Sequence, residues 1–262
     1  RHQVVPVLKE LNPALPQTLA GNLEVLGAED AWLATSARDA FAPLVRHEEP
    51  GLLAWEEAGF GKLPVALQRR ALAMAYDAVV GSRRGLSFER IERMRAPDLR
   101  ALDLGAGLRL VSEHGLRWLA APFEAPEPVW AEPGLVVDPW RVCLEVGTPD
   151  EAGPLGPDAV AFDADRLRGP LEWRTARPRS DRFAPWGHQQ AHSLERFLAK
   201  EHVPTPLRER LLVLAMGDEV VWVVGLRRSH VAPIHEGTRW ALIARHDKQT
   251  WFDRGNTDPY HD

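Results

Sequence analysis

The stretch FDADRLRGPLEWRTARPRSDRFAPWG, residues 162–187, decides how this chain is read. From Leu171 it is strand-like, and then it becomes turn-rich. Four arginines fall within nine positions: Arg174, Arg177, Arg179 and Arg182. Pro178 limits the backbone between them, and Asp181 can orient Arg182 through a charge-assisted bond. A rigid cluster of guanidiniums suits a phosphate backbone, because the planar fork donates two bonds at once. An Arg–Asp pair that staples the turn is the structural alternative for the same residues.

Downstream, HSLERFLAKEHVP places Leu194, Phe197 and Leu198 on one face of a helix that stops before Pro204. RLLVLAMGDEVVWVVGLR reads as two apolar strands around Met216–Glu219, the clearest hairpin in the chain. RWALIAR, residues 239–245, is a last strand. Residues 171–247 are therefore expected to form a small α+β C-terminal domain, with 248–262 a loose tail.

Upstream, the composition shifts. Residues 121–180 hold ten of the 22 prolines, and residues 121–165 carry ten acids against Arg141 alone, a net −9. Strand-like pieces remain at Gly134–Val137, Arg141–Val146 and Ala159–Phe162. Residues 121–170 read as an extended acidic, Pro-rich connector with short strands. Residues 1–120 read as a mainly helical domain ending in a β-hairpin. Residues 1–60 look helical, with Leu19, Leu23, Leu26, Leu33 and Phe41 on one stripe. A second helix begins at Leu63-Pro64 and ends at Gly81-Ser82. A third fits Ser87 to Arg95, with Ser87 as its cap. ALDLGAGLRLVSEHGLRWLA, residues 101–120, alternates apolar and polar residues as a hairpin does. The expected fold class is thus multidomain: helical first, connector second, α+β third.

The whole chain has 262 residues, 45% hydrophobic and 26% charged, which argues against global disorder. Cys143 is the single cysteine, so no internal disulfide and no multi-Cys zinc site is expected. No stretch approaches 18 uninterrupted apolar residues, so no transmembrane helix and no membrane partner is expected; the expected location is cytoplasmic. Residue 1 is Arg, with no initiator Met and no signal-peptide core, so the chain reads as a piece of something longer.

The formal charge of −5 hides its own distribution. Residues 21–60 sum to −6, 61–120 to +5, 166–210 to +5 and 221–248 to +3. Of the 32 basic residues, 28 are Arg. Phosphate neutralisation is local, so two basic modules can grip RNA within an acidic chain. The candidate RNA-binding residues are Arg69, Arg70, Arg83 and Arg84 in the first module, and Arg174, Arg177, Arg179, Arg182, Lys200, Arg208 and Arg210 in the second. Arginines on ordinary solvated faces are the alternative.

Other chemistry finds little support. His188 and His192 have the i,i+4 spacing of a helical metal pair, but no Glu stands between them as in a zinc-protease motif. Exposed or RNA-contacting histidines are the preferred reading, and no metal site and no catalytic residue is assigned. Leu104-Gly105-Ala106-Gly107 lacks the third glycine of a dinucleotide fingerprint and reads as a tight turn. No Walker loop, Gly-x-Ser-x-Gly or Ser-Gly-Gly phosphate loop occurs. Cys143 reads as packing. Trp173 and Trp186, flanked by arginines, are the tryptophans suited to stack on a nucleotide.

At these residues the sequence resembles the non-catalytic half of the bacterial tRNA(Ile)-lysidine synthetase family. The resemblance rests on Asp163-Ala164-Asp165, Arg174, Asp181-Arg182-Phe183, Pro185, Gly187, Leu194, Phe197-Leu198, Val203-Pro204, Arg208-Glu209-Arg210 and Val223–Arg227. LPVALQRRAL, LSFERIE and LDLGAGLRL resemble the family's central substrate-binding domain, and RHQVVPVLKELNP the helix joining it to the catalytic domain. The ordered set covers about 1–245. Ser180 stands where the family usually has Gly, and His192 and Ser193 stand where it has basic residues.

The resemblance implies a parent enzyme that uses ATP to adenylate the 2-carbonyl of the wobble cytidine of tRNA(Ile). The amine of L-lysine then displaces AMP. ATP and Mg belong to an N-terminal domain that this chain is expected to lack, so it should be inactive alone and needs no cofactor of its own. Its implied task is to bind and place tRNA(Ile), and a homodimer is left open. The alternative from another class is a protein-interaction or dimerisation module without RNA binding.

Overall fold

A computed structural model describes residues 4–138, 140–188 and 190–246. The chain divides into two compact units, Arg1–Pro122 and Phe123–Asp262.

The first unit opens with α1 (Val4–Leu11) and the 27-residue α2 (Leu15–Phe41), which has a proline in its first turn. β1 (Val45–Glu49) and β2 (Leu52–Glu56) form a hairpin, and α3 (Glu57–Gly61) follows. Next come α4 (Val65–Val80), α5 (Phe88–Arg95), β3 (Ala101–Asp103), β4 (Arg109–Glu113) and β5 (Leu116–Ala120). The strands make one antiparallel sheet in the order β1-β2-β5-β4-β3.

Local signals set the helix ends. Gly81 terminates α4 in the left-handed region at φ 75° and donates its N–H to Asp77. The Ser87 hydroxyl accepts from the Arg90 N–H and starts α5. Ala71, Leu72, Ala75 and Tyr76 of α4 pack with Trp55, Leu110 and Leu119 of the sheet and with Phe41 and Met94. Arg117 is buried beneath: it pairs with Glu57 and donates to the carbonyls of Met94 and Ala96, closing the C-terminal end of α5.

One expectation for this unit is corrected. Residues 45–56 are not helical. The chain reverses at Pro50-Gly51, with Gly51 at φ 74°, and four of the five β2 residues are buried. Along the apolar stripe of α2, Phe41 is buried, while Leu19, Leu23 and Leu26 are exposed.

The second unit is built from short strands. They are β6 (Val129–Trp130), β7 (Val136–Val137), β8 (Val142–Gly147), β9 (Ala159–Asp163), β10 (Glu172–Thr175), β11 (Arg182–Phe183) and β12 (His192–Ser193). Then come α6 (Leu194–Lys200), α7 (Thr205–Arg208), β13 (Leu212–Met216), β14 (Glu219–Val223), β15 (Arg227–Arg228) and β16 (Ala241–His246). One sheet runs β12-β11-β14-β13-β10-β6, with β15 also paired to β14. A second runs β7-β8-β16-β9. The 212–223 hairpin expected from the sequence is β13–β14.

The core joins both sheets: Val142, Leu144, Val160 and Phe162 pack with Trp173, Leu214, Val221 and Trp222. Trp173 and Trp222 meet edge to face at 6.0 Å. Residues 121–170, read from the sequence as a connector, supply β6 to β9 of these sheets. The expected tail, 248–262, lies outside the described residues.

Candidate nucleic-acid interface

The arginine-rich loop is organised from its buried end. Arg174 sits on β10, antiparallel to β13, and its side chain is 1% exposed. Its guanidinium donates to both carboxylate oxygens of Asp181, at 3.0 and 2.8 Å, to Glu172 at 2.8 Å, and to the carbonyls of Thr175 and Gly217. Burial works against its charge, but the bonds and attraction of Asp181 and Glu172 outweigh it and hold the pKa above the ordinary arginine value.

Asp181 is fully buried and also accepts the Arg177 N–H at 2.7 Å. The Arg177 carbonyl in turn accepts the N–H groups of Ser180 and Asp181, and Pro178 accepts the N–H of Glu195 on α6. Residues 177–181 are thereby a tight turn tied to β10, β13 and α6. Arg177, Arg179 and Arg182 project from it and are exposed. Among the described residues none of these three has a carboxylate within ion-pair distance. The carboxylate partner expected for Arg182 goes to Arg174 instead.

Arg177 and Arg179 line a groove of about 420 Å³ with Phe123, Pro126, Glu127 and Glu209. Arg210 is buried, its guanidinium 4.6 Å from the centre of the Phe123 ring. The structure thus brings Arg174, Arg177 and Arg179 together along one groove, and Arg210 packs against its Phe123 wall without lining it. Lys200 is exposed in the last turn of α6, and Arg208 donates to the Val203 carbonyl; neither lines the groove.

In the first unit, Arg69 and Arg70 lie on α4. Arg69 bonds Glu92 at 2.7 Å and stacks over Phe88, and Arg70 pairs with Asp30. Glu92 also takes Arg95 at 2.8 Å. The bonds from Arg95 and Arg69 lower its pKa to about 2. Arg83 and Arg84 follow the end of α4; Arg83 reaches Asp77 at 3.4 Å and Arg84 is exposed.

The two tryptophans separate. Trp173 is wholly buried in the core, so it offers no face to a nucleotide. Trp186 is exposed. His188 and His192 share no helix: one is in a loop, the other in β12, and both are exposed. Among the described residues no cluster of three or more His, Cys, Asp or Glu is placed to hold a metal ion. Ser193 caps α6 by accepting the Arg196 N–H. Arg228 was missed by the sequence reading. It packs between Phe162 and Trp186, 4.7 Å from each ring centre, and its only sequence signal is its place beside Arg227 after an apolar hairpin.

Residues 171–243 match the family model of the TilS substrate C-terminal domain. The chain is 34% identical to a tRNA(Ile)-lysidine synthase of Symbiobacterium thermophilum, over 92% of this chain and 55% of that protein. It is 28% identical to one of Dehalococcoides mccartyi, over 92% and 54%, and 26% identical to one of Geobacter sulfurreducens, over 94% and 54%. It therefore spans about half the length of these curated relatives. A crystal structure of a TILS C-terminal domain aligns at TM-score 0.39 and 23% identity, over 46% of this chain and 96% of that one. No described helix is long and apolar enough to cross a membrane.

Proposed function

Because this chain belongs to the tRNA(Ile)-lysidine synthase family, we propose that it binds tRNA(Ile) and positions it for lysidine formation. The observation that carries the reading is the 177–182 loop. A buried Arg174–Asp181 pair fixes its backbone, and three arginines without acid partners among the described residues project from it. A-form RNA is read largely through its backbone, and fixed guanidiniums suit that task. Arg177, Arg179 and Arg182 would contact phosphates. Arg174 would hold them in place from within. Arg69 and Arg83, already paired with acids, would contribute less than Arg84.

ATP-dependent adenylation of the wobble cytidine and attack by lysine are proposed for the whole protein, with no step given to residues 1–262.

The test is a filter-binding titration of the chain with tRNA(Ile) transcript at several salt concentrations. Salt-sensitive binding is expected, and its absence at low ionic strength overturns the reading. One observation favours the alternative of an interaction or dimerisation module: Leu19, Leu23, Leu26 and Trp32 of α2 are exposed. A concentration-dependent dimer without RNA affinity would select it.

A further inference from the structure

Trp186 occupies the second position of a tight turn, Pro185 to His188, closed by the His188 N–H to the Pro185 carbonyl at 2.9 Å. Gly187 at φ 88° makes it a type II turn, which needs a glycine at that position. The turn is pinned to β15: Trp186 N–H donates to the Arg228 carbonyl, and Pro185 bridges Ser229. The indole is thereby held on a rigid corner, yet it is 51% exposed.

Beneath the indole lies an unusual support. The Arg228 guanidinium stands 4.7 Å from the Trp186 ring centre and 4.7 Å from that of Phe162. Its bonds go to the carbonyls of Ala161, Ser229 and Val231. Among the described residues it has no carboxylate partner. Burial lowers its pKa to about 10, which leaves it charged at neutral pH. Arg228 is half-buried, and a cation held there with no counter-charge is costly to fold around. Here it sits against the inner side of an exposed aromatic ring.

We propose that Trp186, backed by Arg228, is a stacking platform for an unpaired nucleobase of the bound RNA. A nucleotide supplies both things this corner lacks: a flat π-face for the exposed indole, and a phosphate whose negative charge answers the uncompensated guanidinium. An apolar protein surface would use the indole and leave the cation unanswered. Duplex RNA keeps its bases stacked on one another, so an unpaired base is the species that fits. The inference rests on the tRNA-binding reading but concerns a site apart from the groove lining.

The experiment uses the whole chain and three RNAs: tRNA(Ile) transcript, a single-stranded decaribonucleotide, and the same decamer with abasic sugars. The wild type is expected to prefer the base-bearing decamer. Trp186→Leu should weaken that decamer about five- to 150-fold, the range of one lost base stack. It should leave the abasic decamer and the salt slope unchanged. Trp186→Phe, which keeps a ring over Arg228, should retain much of the preference. The inference is overturned if the wild type shows no preference, if Trp186→Leu keeps it, or if Trp186→Leu weakens both decamers equally. It is also overturned if that variant alters only self-association. Failure of the wild type on the transcript instead overturns the tRNA-binding reading, so the two failures are told apart.

Discussion

Asp181 receives both terminal nitrogens of Arg174 in a pair closed to solvent, seven residues apart in the chain. Removing one partner of such a pair leaves the other charge buried and unmatched, which costs about 3–5 kcal/mol. Arg174→Ala should therefore destabilise the second unit by that order, and Arg174→Lys nearly as much, because an ammonium cannot replace the fork. Hydrogen exchange at the amides of β10 and β13 reads the change. Wild-type protection in Arg174→Ala would show that the pair does not hold the loop.

The exposed arginines predict the opposite division. Arg177→Ala, Arg179→Ala and Arg182→Ala should change stability by no more than about 0.5 kcal/mol. Each should reduce the dependence of log affinity for tRNA on log salt by about one phosphate contact. Affinity measured across a salt series checks this. An unchanged slope in the triple variant would remove the loop from the interface.

Glu92 gives a pH signature for the first unit. Its pKa falls from an ordinary 4.5 to about 2 through the bonds of Arg95 and Arg69. The folded state thus holds this proton less tightly than the unfolded one. The stabilisation is complete above about 4.5 and is lost as pH falls toward 2. A carbon-13 titration of the Glu92 carboxyl should give a midpoint near 2, and Arg95→Ala should raise it. A midpoint near 4.5 would mean the two arginines do not hold Glu92 in solution.

Gly105 and Gly107 flank the β3–β4 turn and both have positive φ, 83° and 77°. A Cβ at Gly105 meets nothing, but one at Gly107 would come within 2.7 Å of Pro122. Gly105→Ala should cost about 1 kcal/mol for the backbone alone. Gly107→Ala should cost more, since the proline ring must also move. Urea denaturation followed by a probe in the first unit compares them, and equal costs would show that Pro122 yields freely.

How much of this was legible in the sequence depended on how local the cause was. Ser87, Gly81 and the Met216–Glu219 turn each act within a few residues, and the elements they bound were readable. The partner of Asp181 was not. Asp181 closes the turn and is buried against Arg174, while Arg182, the first residue of β11, is exposed. Trp173 and Trp186 lie in the same arginine-rich stretch, but strand pairing buries one and a type II turn lifts the other. Periodicity marked the stripe on α2 correctly as apolar, but it carries no information on what covers a stripe. In the candidate site, four clustered arginines were visible in the sequence; which one is interior was decided by residues 172, 181 and 217 together.

β16 lies between β8 and β9, pairing with both. Those two strands are made about 80 to 100 residues before it, so during synthesis they wait with no hydrogen-bonded neighbour between them. The sheet can close only after residue 246 has left the ribosome, and long-range closure of this kind is slow. A nascent chain halted before residue 241 would expose two unpaired strand edges to other chains, so ribosomal stalling there should promote aggregation rather than leave a working fragment.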